Sequence, residues 1–125
     1  MILGVGTDIV TIARIATALE RTPGLAKRIL TLVELEQFNA SSQPERFLAK
    51  RFAAKEAGVK ALGTGIGNGV SWQHLEVSHN ELGRPLLSVS AAAAERAAEL
   101  GISHWHLSYS DETDYVVAQV IAEGR

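Results

Sequence analysis

From Glu45 to near Leu62 the chain reads as one uninterrupted helix, and no other segment constrains the fold as strongly. Leu48, Phe52 and Val59 form an apolar stripe along it and Gly63 supplies the stop, so the helix must lie against a core and end abruptly. Within it, Phe52-Ala53-Ala54-Lys55-Glu56-Ala57-Gly58-Val59-Lys60-Ala61 sets a carboxylate and an amine four residues apart. That spacing puts Glu56 and Lys60 on one face, with Glu56 beside the stripe.

The other segments read as shorter elements. Ile2 to Ile9 predicts a strand ending near Asp8, and Ile12, Ile15, Ala16 and Leu19 then recur at helical spacing behind Thr11, a candidate cap. Pro23-Gly24 interrupts that helix. Leu25 to Ile29 and Val33 to Phe38 predict two short helices, the second capped by Thr31 with Glu34 three residues on. Ser41-Ser42-Gln43-Pro44 is a turn. Beyond the long helix, Trp72, Leu75 and Val77 predict a strand, Asn80 to Pro85 a turn, Leu86 to Val89 a strand and Ala91 to Leu100 an alanine-rich helix stopped by Gly101. Trp105 to Tyr109 and Val116 to Ile121 predict two last strands around a polar turn. This mixed order implies an α+β fold, with residues 1–125 forming one domain, rather than a regular alternation of parallel strands and helices.

A chain of 125 residues is long enough to bury roughly two thirds of its unfolded surface. A hydrophobic fraction of 46%, a charged fraction of 21% and a net charge of −2 fit a globular protein and give no global reason to expect nucleic-acid binding. The absence of cysteine excludes a disulfide framework and a thiol nucleophile and is compatible with a reducing compartment. The start, Met1-Ile2-Leu3-Gly4, lacks a basic segment before its short apolar run, and no apolar stretch has transmembrane length. The expectation is a cytoplasmic protein without stable membrane insertion.

Two acids, an amine and a glycine-spaced loop, Gly63-Thr64-Gly65-Ile66-Gly67, point to metal-assisted phosphate chemistry. Magnesium takes hard oxygen ligands and keeps several waters, so Asp8 and Glu56 can hold it if substrate oxygens and water complete the shell. Lys60 can neutralise a phosphate, or form a routine surface ion pair with Glu56. The loop permits close backbone approach to an anion, but it lacks the Lys-Ser or Lys-Thr end of a nucleotide P-loop, and a flexible helix stop accounts for it equally. His106 sits in a predicted strand, as a core or interface histidine or as a phosphate partner. His74, His79 and His104 show no zinc spacing with it. Arg14, Arg21, Lys27 and Arg28 make a basic sector able to steer an acidic partner, with Leu25, Ile29 and Leu32 nearby. Arg46, Lys50, Arg51 and Lys55 can meet substrate phosphates, or form a solvated helix face.

Taken in order, Gly4-Val5-Gly6-Thr7-Asp8-Ile9-Val10, Arg46 to Ala57, Gly63 to Gly69, Asn80-Glu81-Leu82-Gly83-Arg84-Pro85 and His106 to Glu112 resemble the bacterial 4'-phosphopantetheinyl transferases of the holo-[acyl-carrier-protein] synthase type, across almost the whole chain. The resemblance implies a mainly antiparallel sheet packed against helices, in a homotrimer with coenzyme A sites between subunits. It implies transfer of 4'-phosphopantetheine from coenzyme A to a serine of apo-acyl carrier protein, releasing adenosine 3',5'-bisphosphate, as used in fatty acid and lipid biosynthesis. It carries magnesium onto Asp8 and Glu56, catalysis onto Glu56 and Lys60, coenzyme A binding onto Arg46, Lys50, Gly63, Thr64, Gly65, Gly67 and His106, and carrier docking onto Arg14, Arg21 and Arg28. The base that deprotonates the acceptor serine is Glu56, Asp8 or an ordered water. The family pattern often has a histidine where this chain has Asp111, so no histidine role is carried over there. A coenzyme A-binding or carrier-binding module without transfer activity, and an unrelated metal-dependent phosphotransferase, are the other readings.

Overall fold

The computed structural model describes residues Met1–Arg125. In chain order its elements are β1 (Ile2–Thr11), α1 (Ile12–Arg21), α2 (Leu25–Ile29), α3 (Leu32–Ala40), α4 (Pro44–Leu62), β2 (Leu75–His79), β3 (Pro85–Val89), α5 (Ala91–Leu100), β4 (Ile102–Asp111) and β5 (Tyr115–Gly124), with a 3-10 turn at Trp72–His74. One antiparallel sheet has the order β1-β5-β4, and β2-β3 is a separate antiparallel hairpin. The architecture is α+β.

The long helix α4 is the centre of the molecule. Its small residues explain why: Ala49, Ala53, Ala54 and Ala57 are fully buried together with Leu48 and Val59. A three-residue stripe understates this burial, because alanine contributes little to a hydrophobic pattern yet lets other elements pack closely against several faces. The inner face of the sheet supplies the other half of the core through Val116, Ala118, Val120 and Ala122 of β5. β1 crosses α4 with no side-chain layer between them. A Cβ added to Gly6 would lie 1.8 Å from the Ala57 carbonyl oxygen, and one added to Gly4 would lie 2.0 Å from that of Ala61. Only glycine permits that approach.

Local signals settle most boundaries. Thr31 and Glu34 form a reciprocal capping box at α3, with Thr31 Oγ1 accepting from the Glu34 amide at 3.3 Å and Glu34 Oε1 from the Thr31 amide at 3.0 Å. Thr11 occupies the N-cap position of α1 without a side-chain bond. Gly63 ends α4 in the left-handed conformation, φ 82°. Trp72 belongs to the 3-10 turn before β2, not to the strand itself. β4 and β5 run longer than their apolar cores because the partners in the sheet extend them to ten residues each.

Candidate active site

The crossing of β1 over α4 brings Asp8 to Lys60, and Glu56 lies one helical turn before Lys60 on the same helix. The contacts of Gly4 on Ala61 and Gly6 on Ala57 run antiparallel, so Asp8, the next inward residue of β1, lies one step further toward the start of the helix. Lys60 Nζ donates to Asp8 Oδ1 at 3.1 Å and to the Thr7 carbonyl at 2.9 Å. The lysine therefore ties the helix to the strand, and forms no ion pair with Glu56. The Asp8 carboxylate is 15% exposed, and its Oδ2 is buried without a hydrogen-bond partner.

Glu56, one turn before Lys60, is half-buried and accepts a hydrogen bond on Oε1 from the Trp72 indole N–H at 3.0 Å. Trp72 is fixed in its turn. The Ser71 hydroxyl accepts from the Gln73 amide at 3.2 Å, the Ser71 amide donates to His74 Nδ1 at 3.2 Å, and the indole packs on Phe52 with ring centroids 6.1 Å apart.

A divalent cation fits these residues. An orphaned, largely desolvated carboxylate oxygen is costly unless something occupies it, and the oxygen-only donor set suits magnesium better than zinc. No group of three or more His, Cys, Asp or Glu side chains gathers at metal-binding distance, so an ion here would complete its shell with water and substrate.

The glycine loop turns back beneath α4. Gly63, Gly65, Gly67 and Gly69 all take positive φ, 82°, 66°, 123° and 88°. The amides of Gly63, Thr64 and Gly65 donate to the Val59 carbonyl, and that of Gly67 to the Val70 carbonyl at 3.0 Å. The loop's shape is therefore held by its own amides. It walls a cleft of about 450 Å³ with Val70, Ala92 and Arg96.

Arg46 and Lys50 lie elsewhere, about 15 Å along α4 from Glu56 in the case of Arg46. Arg46 Nη1 donates to Asp111 Oδ2 at 2.7 Å and to the Glu112 carbonyl at 2.8 Å, while Lys50 Nζ lies 3.5 Å from Asp111 Oδ1. Together they border a cavity of about 320 Å³ with Ser41, Ser42, Arg51 and Tyr109. Partial burial of Asp111 would raise its pKa, but the hydrogen bond from Arg46 and the charge of Lys50 prevail and hold the carboxyl below its usual range. His79 and the Tyr109 hydroxyl are hydrogen-bonded on the same wall.

His106 projects from the outer face of the sheet, opposite the inward-facing Asp8. It is exposed and its Nε2 meets Glu123 Oε1 at 2.9 Å. It shares no contact with the Asp8–Glu56–Lys60 group within one chain. Arg14, Arg21 and Arg28 are exposed on α1 and α2 and form no ion pair.

Arg51 and Lys55 correct an expectation. Neither belongs to a solvated helix face: with Glu34 they form a buried network, of which only the edge of Arg51 reaches the cavity beside Arg46. Glu34 Oε1 meets Lys55 Nζ at 2.5 Å, while Oε2 accepts from the Val77 amide at 2.9 Å and lies 3.4 Å from Arg51 Nη1. Lys55 also donates to the Ile29 carbonyl at 2.7 Å. Burial pushes the Lys55 amine below its ordinary range although Glu34 opposes the shift. This network and the Trp72–Glu56 bond were missed from sequence. The only local trace of the first was the Thr31–Glu34 capping pair, and the second joins residues sixteen positions apart.

Comparison with known proteins gives a consistent result. The model of the 4'-phosphopantetheinyl transferase superfamily matches residues 4–120. A holo-[acyl-carrier-protein] synthase of Shewanella piezotolerans is 58% identical, covering 98% of this chain and 99% of its own length. The crystal structure of holo-[acyl-carrier-protein] synthase from Neisseria meningitidis superposes with a TM-score of 0.92 at 46% identity, covering 98% of this chain and 99% of that one. A holo-(acyl-carrier-protein) synthase of Bacillus anthracis, solved in complex with CoA (3',5'-ADP), superposes with a TM-score of 0.83 at 38% identity, covering 100% and 99%.

Proposed function

The chain belongs to the 4'-phosphopantetheinyl transferase superfamily, and from that premise we infer that it carries out the reaction of the holo-[acyl-carrier-protein] synthases. It transfers the 4'-phosphopantetheine group from coenzyme A to a serine of apo-acyl carrier protein and releases adenosine 3',5'-bisphosphate. The observation that carries the site assignment is the Asp8–Lys60 pair, with one buried, unpartnered Asp8 oxygen and Glu56 one helical turn from Lys60.

In this reading the serine oxygen forms a bond to the phosphorus that carries the pantetheine arm, and the bond from that phosphorus to the bridging oxygen breaks. The electron pair leaves with adenosine 3',5'-bisphosphate. Asp8 and Glu56 would hold a magnesium ion, which would supply charge neutralisation and polarisation at the pyrophosphate when bound. Lys60, fixed by Thr7 and Asp8, places a cation beside the transferring phosphate. Glu56, directly or through a water, takes the serine proton. Arg46, Lys50, the Gly63–Gly67 loop including Thr64, and His106 bind the rest of coenzyme A. Support for this comes from the open cavity beside Arg46 and Lys50 and the cleft beside Gly63 and Thr64. Since these surfaces lie apart within one chain, and His106 is on the far side of the sheet, a homotrimer with shared sites accommodates them. The exposed apolar residues of the outer sheet face, Val5 at 54%, Ile9 at 61% and Val117 at 40%, offer a surface for such contacts. Arg14, Arg21 and Arg28 receive the acidic carrier.

Residues 1–125 are read as one transferase domain. No helix is long and apolar enough to cross a membrane, and a cytoplasmic setting suits carrier and coenzyme.

Intact-mass analysis of apo-acyl carrier protein incubated with this protein, coenzyme A and magnesium tests the reading. The expected result is an addition of about 340 Da, the mass of the covalent arm, dependent on both protein and magnesium. No addition to a verified competent carrier would replace transfer with simple binding of coenzyme A or carrier.

A further inference from the structure

The two oxygens of Glu56 have different surroundings. Oε1 accepts the Trp72 N–H at 3.0 Å, while Oε2 takes no hydrogen bond from the chain. Asp8 repeats the asymmetry: Oδ1 takes the Lys60 amine and Oδ2 is left without a partner. In each carboxylate one oxygen is tied and the other is left over.

The two ties differ in kind. Lys60 brings a charge. The indole brings a single N–H and no charge, so it orients the Glu56 carboxylate without neutralising it. A glutamate on a half-buried helix face has rotamer freedom of roughly 1.5–2 kcal/mol to lose. A donor that fixes one oxygen fixes the direction of the other. Trp72 is well placed to do so, because its backbone is held in the 3-10 turn by Ser71 and His74 and its ring rests on Phe52, one helical turn before Glu56.

We propose that Trp72 is a positioning residue of the divalent-cation site: its N–H holds Glu56 Oε1 so that Oε2 is presented, together with Asp8 Oδ2, to the ion. This rests on the reading of Asp8 and Glu56 as cation ligands and deepens it, since loss of a donor that orients a metal ligand typically costs about 10–100-fold in metal affinity.

The test reads cation binding directly. The chain has two tryptophans, so Trp105→Phe leaves Trp72 as the sole tryptophan, excited selectively at the red edge of the indole band. Titration of that protein with manganese alone is expected to quench Trp72 saturably, with magnesium reversing the effect and Asp8→Ala abolishing it. In the otherwise unaltered protein, Trp72→Phe keeps an aromatic ring on Phe52 but removes the N–H. It is expected to weaken manganese binding, measured by calorimetry, about tenfold, and to raise the magnesium concentration for half-maximal transfer by the same factor while the KM for carrier stays unchanged. A purely structural role would lower the melting temperature without moving the cation midpoint. Wild-type manganese affinity in Trp72→Phe overturns the proposal. If that variant does not fold, absence of saturable quenching in the Trp105→Phe protein overturns it instead. Manganese binding without phosphopantetheine transfer would refute the proposed reaction and leave the positioning role standing.

Discussion

Two charged groups are anchored on α4, each with a partner from another element, and their contrast separates architecture from chemistry. Glu34, Arg51 and Lys55 are buried, mutually paired, and completed by the Thr31 and Val77 amides and the Ile29 and Val77 carbonyls. Glu56 and Lys60 lie five residues beyond Arg51 and Lys55 on α4 and meet Asp8 of β1, with Lys60 52% exposed and an Asp8 oxygen left over. The polar atoms of the first group are taken up by one another and by the backbone. The second is incomplete without a ligand. A charge alone on a helix says little; the unsatisfied remainder marks the place where a substrate or ion fits.

The contrast is open to being broken. Lys55→Met leaves the Glu34 carboxylate buried without its main partner and should cost about 3–5 kcal/mol of stability in urea unfolding, while turnover per folded molecule is retained. Asp8→Ala or Glu56→Ala should do the reverse, lowering transfer at least about 100-fold, close to 3 kcal/mol, with a melting temperature near that of the parent. If Lys55→Met abolished transfer in folded protein, or Asp8→Ala chiefly unfolded the chain, the division between the groups would fail. Arg14→Glu is expected to raise the KM for carrier about tenfold, less at high salt, and to leave the KM for coenzyme A unchanged; equal affinity for carrier would remove Arg14 from the docking surface.

The smallest effect sharpens the comparison with an intermediate case. Asp111, tied to Arg46 and Lys50 but partly solvated, has a folded-state pKa below its unfolded value. Its contribution is therefore complete above the ordinary carboxylate range and is lost as pH falls through the depressed value. Asp111→Asn should cost no more than about 1 kcal/mol at pH 7, after allowance for solvent screening, and the difference from the parent should vanish in acid. A difference that persisted there would attribute the effect to packing.

What was legible in the sequence was local. Gly63, the Thr31–Glu34 box and the alternation in β1, β4 and β5 specify their elements because neighbouring residues decide them. Asp8, Glu56 and Lys60 were candidates from residue type and spacing, but the strand contact of Lys60 depends on how β1 crosses α4. The burial of Arg51 and Lys55 was hidden because a basic residue on a helix looks solvated until a distant acid is folded against it. His106 falls in its predicted strand, yet the face on which it emerges follows from pairing with β5. The indole bond to Glu56 joins a 3-10 turn to a helix and has no local signature.

The glycine crossing has a consequence for how the molecule fails. With no side chains between β1 and α4 at Gly4 and Gly6, the two backbones fit like a key in its slot, and neither can slide or tilt without losing the fit. The cation pocket spans that slot. It cannot loosen ahead of the molecule, and during heating the cation-binding signal and the far-ultraviolet dichroism should disappear in one step.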